Sequence, residues 1–280
     1  MTMEFGKGEA FRHAGLLERA AAILRGPLAR SPLKAPLKLA YERLLDRLGG
    51  SRLIARFPHG ESVRLAAAFR QVMWNGQEYE AFRRQTSPGD VVLDIGANLG
   101  AYTLLFGQWV GATGRVVAFE PAPGPRRGLE RHVALNGLAD RVEVRAEAMS
   151  AARGRARFGG TGPGGHDRLT AGGEGSVEVA TTSIDAFCEE TGTRPRLIKV
   201  DVEGAELDVL KGARTTIRMA GPGLSLFVEM HPDLWPALGT SREAMEAELA
   251  VQRLRAERLD GSADIWTIEG VCLRLRPCDS

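Results

Sequence analysis

The chain has 280 residues, of which 44% are hydrophobic and 26% are charged. This composition is ordinary for a globular protein and excludes a disordered or fibrous chain. The 37 basic and 35 acidic residues leave a net charge of only +2, so no nucleic acid partner is expected. No apolar run of about 18 residues occurs, so the sequence predicts no transmembrane segment. The three cysteines form no CxxC pair, which favours a reduced, cytoplasmic protein.

Residues 1–50 have a different pattern from the rest of the chain. Leucine and alanine recur there at helical spacing, and Pro27, Pro32 and Pro36 divide the segment into short helices. We expect an N-terminal helical segment over 1–50 and one larger domain over 51–280. The segment could cap that domain, act as a lid over a substrate, join two copies in a homodimer, or lie as a basic helix on a membrane surface.

From residue 88 onward, short apolar runs alternate with segments of helical periodicity. The apolar runs predict buried strands and the periodic segments predict helices. This alternation is typical of βαβ units, which build a parallel sheet with helices on both faces. The predicted strands are 91–97, 115–121, 142–148, 196–203 and 224–230, and the predicted helices are 102–110, 125–136, 184–191, 205–219 and 242–255.

Two stretches depart from this alternation. Residues 153–183 hold the glycine-rich run GGTGPGGHDRL between two strand-like runs, which predicts an excursion from the sheet with a mobile tip. Residues 263–277 hold two strand-like runs around a Glu269-Gly270 turn, which predicts a terminal hairpin.

A glycine-rich turn, DIGANLG at 94–100, connects the first predicted strand to a helix. Gly96 and Gly100 would let the backbone approach a ligand, and a helix N-terminus favours a carboxylate or phosphate. Glu120 ends the next strand, where an acid can accept hydrogen bonds from both hydroxyls of a ribose. The pattern predicts a nucleoside site at the carboxyl edge of the sheet.

The composition of this turn favours S-adenosylmethionine over a dinucleotide. GANLG lacks the second glycine of GxGxxG, through which a backbone reaches a pyrophosphate. Asp94 adds an acid that suits an ammonium or a sulfonium and repels a diphosphate. We expect Asp94 near the ammonium, directly or through water, and Gly96, Asn98 and Gly100 around the methionine and ribose. Asn98 has the alternative role of adopting a left-handed backbone conformation in the turn.

Five motifs, in order, resemble the FkbM family of S-adenosylmethionine-dependent methyltransferases. They are VVLDIGANLGAYTLL, GRVVAFEPAP, HVALNGL, LIKVDVEGAELDVLKGA and FVEMHP, and the resemblance covers residues 76–232. It implies a class I methyltransferase fold, a Rossmann-like α/β fold whose seven-stranded, mostly parallel sheet has an antiparallel last strand. It also implies an enzyme that acts mostly as an O-methyltransferase.

The resemblance adds three cofactor contacts to those of the glycine-rich turn and Glu120. Glu147 and Ala148 end the third predicted strand, where class I enzymes contact the adenine. Tyr79 lies in a segment before the first strand that folds over the cofactor in this family, so its ring could lie near the sulfonium. A place in the hydrophobic core is the alternative for Tyr79.

Two neighbouring strands are expected to bring the catalytic residues to one edge of the sheet. Asp201 ends one predicted strand, and Glu229 and His231 end the next. His231 is the first candidate for the general base that removes the acceptor proton, because an unperturbed histidine has a near-neutral pKa. Asp201 is the second candidate. Glu203 and Glu206 begin a helix, where acids commonly interact with the helix dipole.

Asp201 and Glu229 also resemble the metal-binding acids of catechol-type O-methyltransferases. Together with substrate hydroxyls, two carboxylates could hold an octahedral Mg²⁺. Met230 stands where that pattern has its third ligand, so the expected magnesium site comprises Asp201 and Glu229 alone.

The sequence thus predicts methyl transfer from S-adenosylmethionine to a hydroxyl of a sugar, polyketide or lipid-like small molecule. Two alternatives are an NAD(P)-binding oxidoreductase and a non-catalytic binding protein that keeps the fold. The GANLG turn argues against the first. Asp94, Glu120 and Asp201 argue against the second, because a scaffold needs no such group of acids around one pocket.

Overall fold

A computed structural model describes residues 53–159, 169–170, 177–262, 265–266 and 271–278. The helical segment predicted over 1–50, with its lid, cap and homodimer alternatives, lies outside these residues. In the part that is described, no helix is both long and apolar enough to cross a membrane.

The central feature is a seven-stranded sheet with the order β12-β13-β11-β10-β3-β4-β5. The five strands from β11 to the edge strand β5 are parallel to one another, whereas β13 is antiparallel to both of its neighbours. The expected class I methyltransferase fold is therefore confirmed, including its antiparallel last strand. The strands are β3 (Val91–Ile95), β4 (Arg115–Phe119), β5 (Val142–Arg145), β10 (Leu197–Val200), β11 (Ser225–Met230), β12 (Leu254–Arg258) and β13 (Val271–Pro277).

Helices cover both faces of this sheet, and each face has its own hydrophobic core. Leu93 belongs to one core and its neighbour Val92 to the other, because successive side chains of a strand point to opposite faces. The helices are α1 (Gly76–Gln85), α2 (Ala101–Trp109), α3 (Pro123–Leu135), α4 (Ile184–Thr191), α5 (Glu206–Lys211), α6 (Arg214–Ala220) and α7 (Arg242–Val251).

One predicted helix is in fact two. The segment predicted as a helix over 205–219 breaks between α5 and α6, at Gly212 and Ala213. A side chain at Gly212 would place its Cβ 2.3 Å from the Ser150 carbonyl oxygen, so the chain passes close to the loop after β6 (Ala148–Met149). This close approach accompanies the change of direction between the two helices.

The first strand of the predicted terminal hairpin spans 263–270, of which the structure describes only Ile265 and Trp266, and β13 does not pair with those two residues. β13 pairs with β12, Leu254 lying opposite Pro277, whereas Ile265 and Trp266 belong to no strand. The helix predicted over 242–255 is too long at its C-terminal end, because α7 ends at Val251 and Arg253 has a positive φ of 52°. That left-handed residue turns the chain into β12.

The excursion after β5 forms a second, smaller sheet with the strand order β6-β9-β7-β8. Its strands are β6, β7 (Gly154–Phe158), β8 (Leu169–Thr170) and β9 (Val177–Thr182). The predicted strand 142–148 is thereby divided, since β5 stays in the main sheet and Ala148 begins the small one. The expected mobile tip falls on residues 160–168 and 171–176, which lie outside the described part of the chain.

A hairpin, β1 (Leu53–Arg56) and β2 (Ser62–Leu65), precedes α1. Three short 3-10 helices complete the described elements, at Ala67–Phe69, Gly221–Gly223 and Trp235–Leu238.

Candidate functional site

The glycine-rich turn follows β3 at the carboxyl edge of the main sheet. Gly96 has a positive φ of 76°, and a Cβ built there would lie 1.6 Å from the carbonyl oxygen of Asp201. The backbone of the turn is therefore packed directly against the end of β10. Contact within the protein therefore requires glycine at this position, in addition to the expected approach to a ligand, for which Gly96 also lines the cavity described below.

Gly100 and Asn98 also have positive φ angles, of 89° and 48°. A Cβ at Gly100 would lie 2.5 Å from Leu129 Cδ1, so this glycine lets α2 begin close against α3. The left-handed backbone conformation of Asn98 in the turn is one of the two roles expected for it. Its backbone N–H donates a 2.8 Å hydrogen bond to Glu120 Oε2. Gly96 and Asn98 line the cavity described below, whereas Gly100 does not.

Glu120 is buried at the end of β4, and both of its carboxylate oxygens accept backbone hydrogen bonds. Besides Asn98, the Ala122 N–H donates to Oε1 at 2.8 Å. These two bonds fix the plane of the carboxylate. A carboxylate offers about four acceptor positions in total, more than these two backbone bonds use.

A cavity of about 590 Å³ opens beside Glu120 at the carboxyl edge of the sheet. Its size and its mixed polar and apolar lining are typical of a small-molecule site. The cavity is bounded on one side by Asp201 and Glu203 and on another by Glu147 and Ala148, with Phe119, Met149 and Phe158 also in its wall. Met73 lies in the same wall and is 82% exposed.

Glu147 and Ala148, the residues expected to contact the adenine, both line this cavity. The Arg145 guanidinium donates to Glu147 Oε2 at 3.2 Å, and this interaction lowers the pKa of Glu147. Glu147 is therefore a fixed anion at the cavity. The other nearby acid, Glu143, pairs with Arg115 and Arg145 and does not line the cavity.

Asp94 does not line the cavity, so of the two expected modes of contact with the ammonium, direct or through water, the structure does not place it for direct contact there. It is buried in β3, where Thr103 Oγ1 donates to its Oδ2 at 2.5 Å. Its Oδ1 has no hydrogen-bond partner among the described residues, and burial raises the pKa of Asp94. A buried carboxylate oxygen without a donor is one that a water molecule could satisfy.

Lys199 is a site residue that sequence reasoning missed. Its ammonium is buried in β10, 3.2 Å from Asp201 Oδ2 and 3.9 Å from Asp94 Oδ1. Burial alone would lower its pKa, but the charges of Asp201, Asp94, Glu229 and Glu78 raise it well above the usual value. The strand alternation did hold a signal, because Lys199 and Asp201 are two residues apart and therefore on the same face.

Tyr79 lies in the hydrophobic core, not beside the cavity. Its hydroxyl donates a 2.7 Å hydrogen bond to Glu61, and its ring packs against Phe57 and Trp109. The expectation of a ring near the sulfonium is thus not met in this structure, because Tyr79 joins α1 to the β1–β2 hairpin. Its neighbour Glu78 is buried, and burial raises the pKa of Glu78.

Asp201, Glu229 and His231 come together, as the predicted strands required. His231 Nε2 lies 4.0 Å from Asp201 Oδ1 and 3.8 Å from Glu229 Oε1. Glu203 Oε2 also lies 3.8 Å from Nε2, so three carboxylates face one nitrogen of the ring. Burial and the charges of Asp201 and Glu78 raise the pKa of Glu229.

The other ring nitrogen of His231 contacts Glu206. His231 Nδ1 lies 2.9 Å from Glu206 Oε1, and both side chains are buried. Burial by itself would lower the pKa of His231. The hydrogen bond to Glu206, with the charges of Glu206, Asp201 and Glu203, outweighs burial and raises the pKa to about 9. The near-neutral value expected from the sequence is therefore wrong in this environment.

The donor atoms beside His231 do not suit Mg²⁺. One atom each of Asp201, Glu229 and His231 lies within 4.8 Å of the others, but Mg²⁺ prefers six oxygen ligands and an imidazole is a poor substitute. Lys199 already supplies a positive charge to Asp201, and Met230, at the third ligand position, is buried in the core.

Comparison with known proteins identifies the kind of domain. The model of the methyltransferase FkbM domain matches residues 94–256. The hexuronic acid methyltransferase AglP of Haloferax volcanii is 26% identical over 170 residues, which cover 60% of this chain and 67% of that protein. The 2-O-methyltransferase NoeI of Sinorhizobium fredii is 30% identical over 149 residues, or 46% of this chain and 60% of that protein.

Among solved structures, the FkbM methyltransferase of Methylobacillus flagellatus matches with a TM-score of 0.47 and 19% identity. The match covers 74% of this chain and 49% of that one. The chain therefore spans only about half to two thirds of the length of these relatives. The family and both curated relatives are methyltransferases, which favours methyl transfer over an oxidoreductase or a non-catalytic protein.

Proposed function

The chain belongs to the FkbM methyltransferase domain family, and on this basis we propose that it transfers a methyl group from S-adenosylmethionine to a hydroxyl of a sugar-like acceptor. The observation that carries the proposal is that the cavity lies next to His231 and the acids around it. Asp201 and Glu203 line the cavity and also lie within 4.0 Å of His231 Nε2. A proton acceptor and a small-molecule cavity are thereby adjacent.

The residues around the cavity suit the methyl donor. Glu120, fixed by two backbone N–H groups, would accept hydrogen bonds from the ribose hydroxyls. Glu147 and Ala148 would contact the adenine, and the turn containing Gly96 and Asn98 would surround the methionine portion. When bound, S-adenosylmethionine supplies a methyl carbon that its sulfonium has already activated for in-line displacement.

The charge of this edge also suits a cationic donor. Four acids line the cavity, Glu120, Glu147, Asp201 and Glu203, and among the described residues no basic side chain does. Because opposite charges attract more strongly in a partly buried site than in water, this excess of negative charge favours the positively charged donor over neutral S-adenosylhomocysteine. Product would therefore be released more readily than substrate.

His231 is the proposed general base. As the acceptor oxygen bonds to the methyl carbon and the carbon–sulfur bond of the donor breaks, the hydroxyl proton would pass to Nε2 of the neutral imidazole of His231, the form that predominates above its pKa of about 9. Asp201 would hold the acceptor hydroxyl in line, which is the alignment that lowers the entropic part of the barrier. We propose that the reaction needs no metal, since Lys199 supplies the positive charge beside Asp201.

A sugar-like acceptor is supported by the names of the two curated relatives, a hexuronic acid methyltransferase and a 2-O-methyltransferase. A polyketide or lipid-like hydroxyl is the broader expectation from the sequence, and the low identity of these relatives leaves it open to direct test.

Calorimetric titration with S-adenosylmethionine and S-adenosylhomocysteine tests the donor site, with Glu120→Ala as the disabling variant. Glu143→Ala is the matched control, because Glu143 is a neighbouring acid that does not line the cavity. We expect wild type and Glu143→Ala to bind the donor and Glu120→Ala to lose binding at least tenfold. Equal binding by all three proteins would refute the assignment of Glu120.

Incubation with the donor and a panel of methyl hexosides, hexuronates and simple alcohols then tests the reaction, with O-methyl products identified by mass spectrometry. We expect a sugar hydroxyl to be methylated, and His231→Ala to bind the donor normally but turn over at least tenfold more slowly. His59→Ala is the control, because His59 pairs with Glu80 on the surface. Donor binding without methylation of any hydroxyl would exclude this acceptor class.

A further inference from the structure

Glu206 is a fully buried carboxylate located behind His231, on the opposite side from the cavity acids. We propose that Glu206 is a positioning residue, which holds the His231 ring so that Nε2 faces the acceptor and Nδ1 carries the shared proton. The inference rests on the proposed role of His231 as the base. It assigns to Glu206 a part in the reaction that its place at the start of α5 did not suggest.

The contacts of Glu206 use both of its oxygens. Oε1 lies 2.9 Å from His231 Nδ1 and accepts a 2.8 Å bond from the Gly204 N–H. Oε2 accepts a 2.7 Å bond from Trp235 Nε1. The Gly204 bond is a local contact at the helix start, but His231 and Trp235 come from beyond the end of β11. Glu206 therefore joins the start of one helix to the base supplied by another element.

This arrangement determines which nitrogen can act. With Nδ1 bonded to Glu206, the ring rotation is fixed and Nε2 faces Asp201, Glu203 and Glu229 at 3.8–4.0 Å. In other enzymes a buried carboxylate on the far nitrogen of a histidine sets the tautomer and stabilises the imidazolium that forms during the reaction. Glu206 has the position, the burial and the contact that this role requires.

A purely structural role makes a different prediction. Glu206 would then stabilise the turn around Gly204 and the Trp235 segment, and its loss would slow the enzyme to the same extent whether or not His231 is present. A positioning role requires that the effect depend on His231. A double-mutant cycle separates the two, because it measures whether two residues act together.

The experiment measures turnover and donor KM for wild type, Glu206→Gln, His231→Ala and the double variant. Glu248→Gln is the matched control, since Glu248 is also a buried glutamate but pairs with Arg214. We expect Glu206→Gln to lower kcat at least tenfold with donor KM unchanged, and to lower it less than twofold in the His231→Ala background. Glu206→Asp should recover part of the loss. Equal losses in both backgrounds, or full turnover in Glu206→Gln, would overturn the proposal.

A second readout does not depend on turnover. The protein has five histidines, so the ring N–H protons can be assigned by proton NMR, with His231→Ala identifying the His231 signal. We expect a downfield Nδ1 proton signal, protected from exchange by the bond to Glu206, that disappears in Glu206→Gln and persists in Glu248→Gln. If no hydroxyl is ever methylated, a His231 signal that responds in this way still supports the contact. An unchanged signal contradicts it.

Discussion

Replacement of Gly96 by alanine tests how closely the glycine-rich turn is packed against β10. The new Cβ would lie 1.6 Å from the Asp201 carbonyl oxygen, whereas an ordinary contact is about 3.5 Å. Either the turn or the end of β10 must therefore move by roughly 2 Å. Because Asp201 lies beside His231 and lines the cavity, the movement should disturb both the fold and the site.

The magnitude follows from two contributions. A side chain at a positive φ costs roughly 1–2 kcal/mol, and relieving an overpacked contact costs about 1–3 kcal/mol more. The total is about 2–5 kcal/mol, or a drop in Tm on the order of 10 °C for a protein of this size. Thermal unfolding followed by circular dichroism measures this drop, and calorimetric titration measures the accompanying loss of donor affinity.

Gly137→Ala provides the control, because Gly137 has a similar φ of 64° but nothing within 4 Å of a built Cβ. This variant should lose only the roughly 1–2 kcal/mol due to backbone strain and should bind the donor normally. If the two variants melted at the same temperature and bound the donor equally, the close contact between Gly96 and Asp201 would not be what requires glycine.

Three further predictions concern the charged residues of the site. Turnover should rise with pH toward about 9, because only neutral His231 accepts a proton, and a pH-independent kcat would refute the role of His231 as general base. The raised pKa of His231 also contributes to the free energy of unfolding. That contribution is fully present below about pH 6.5 and is lost as pH rises through 9. Lys199→Met should lower the free energy of unfolding, measured in urea, by about 3–5 kcal/mol, since Asp94 and Asp201 would lose their counter-charge. Lys211→Met, at an exposed ion pair, should lower it by less than about 1 kcal/mol. Equal losses would contradict the stabilising role of Lys199 between the two acids. Dialysis against EDTA should leave turnover unchanged, and a loss restored by Mg²⁺ would return Asp201 and Glu229 to the role of metal ligands.

The sequence by itself determined the fold class and the edge of the sheet at which the site lies. Apolar runs of strand length alternating with helical periodicity define βαβ units, and the handedness of those units leaves few ways to order the strands. Polar residues that follow buried strands, such as Glu120, Asp201 and His231, must then meet at the carboxyl edge. These are local patterns, so they can be identified without knowing which parts of the chain touch.

Only the tertiary structure decided what each side chain contacts. β12 escaped prediction because its pairing with β13 depends on residues far apart in sequence. Tyr79 is a core residue because its ring packs against Phe57 and Trp109 while its hydroxyl donates a hydrogen bond to Glu61 of the preceding hairpin. In the sequence, Glu206 has the position of a helix-dipole partner and Lys199 that of an ordinary strand residue. Only the folded chain buries Glu206 against His231 and Lys199 against Asp201. The reason is physical: burial and the distance between charges set hydrogen bonds and pKa values, and both arise only when distant segments pack together.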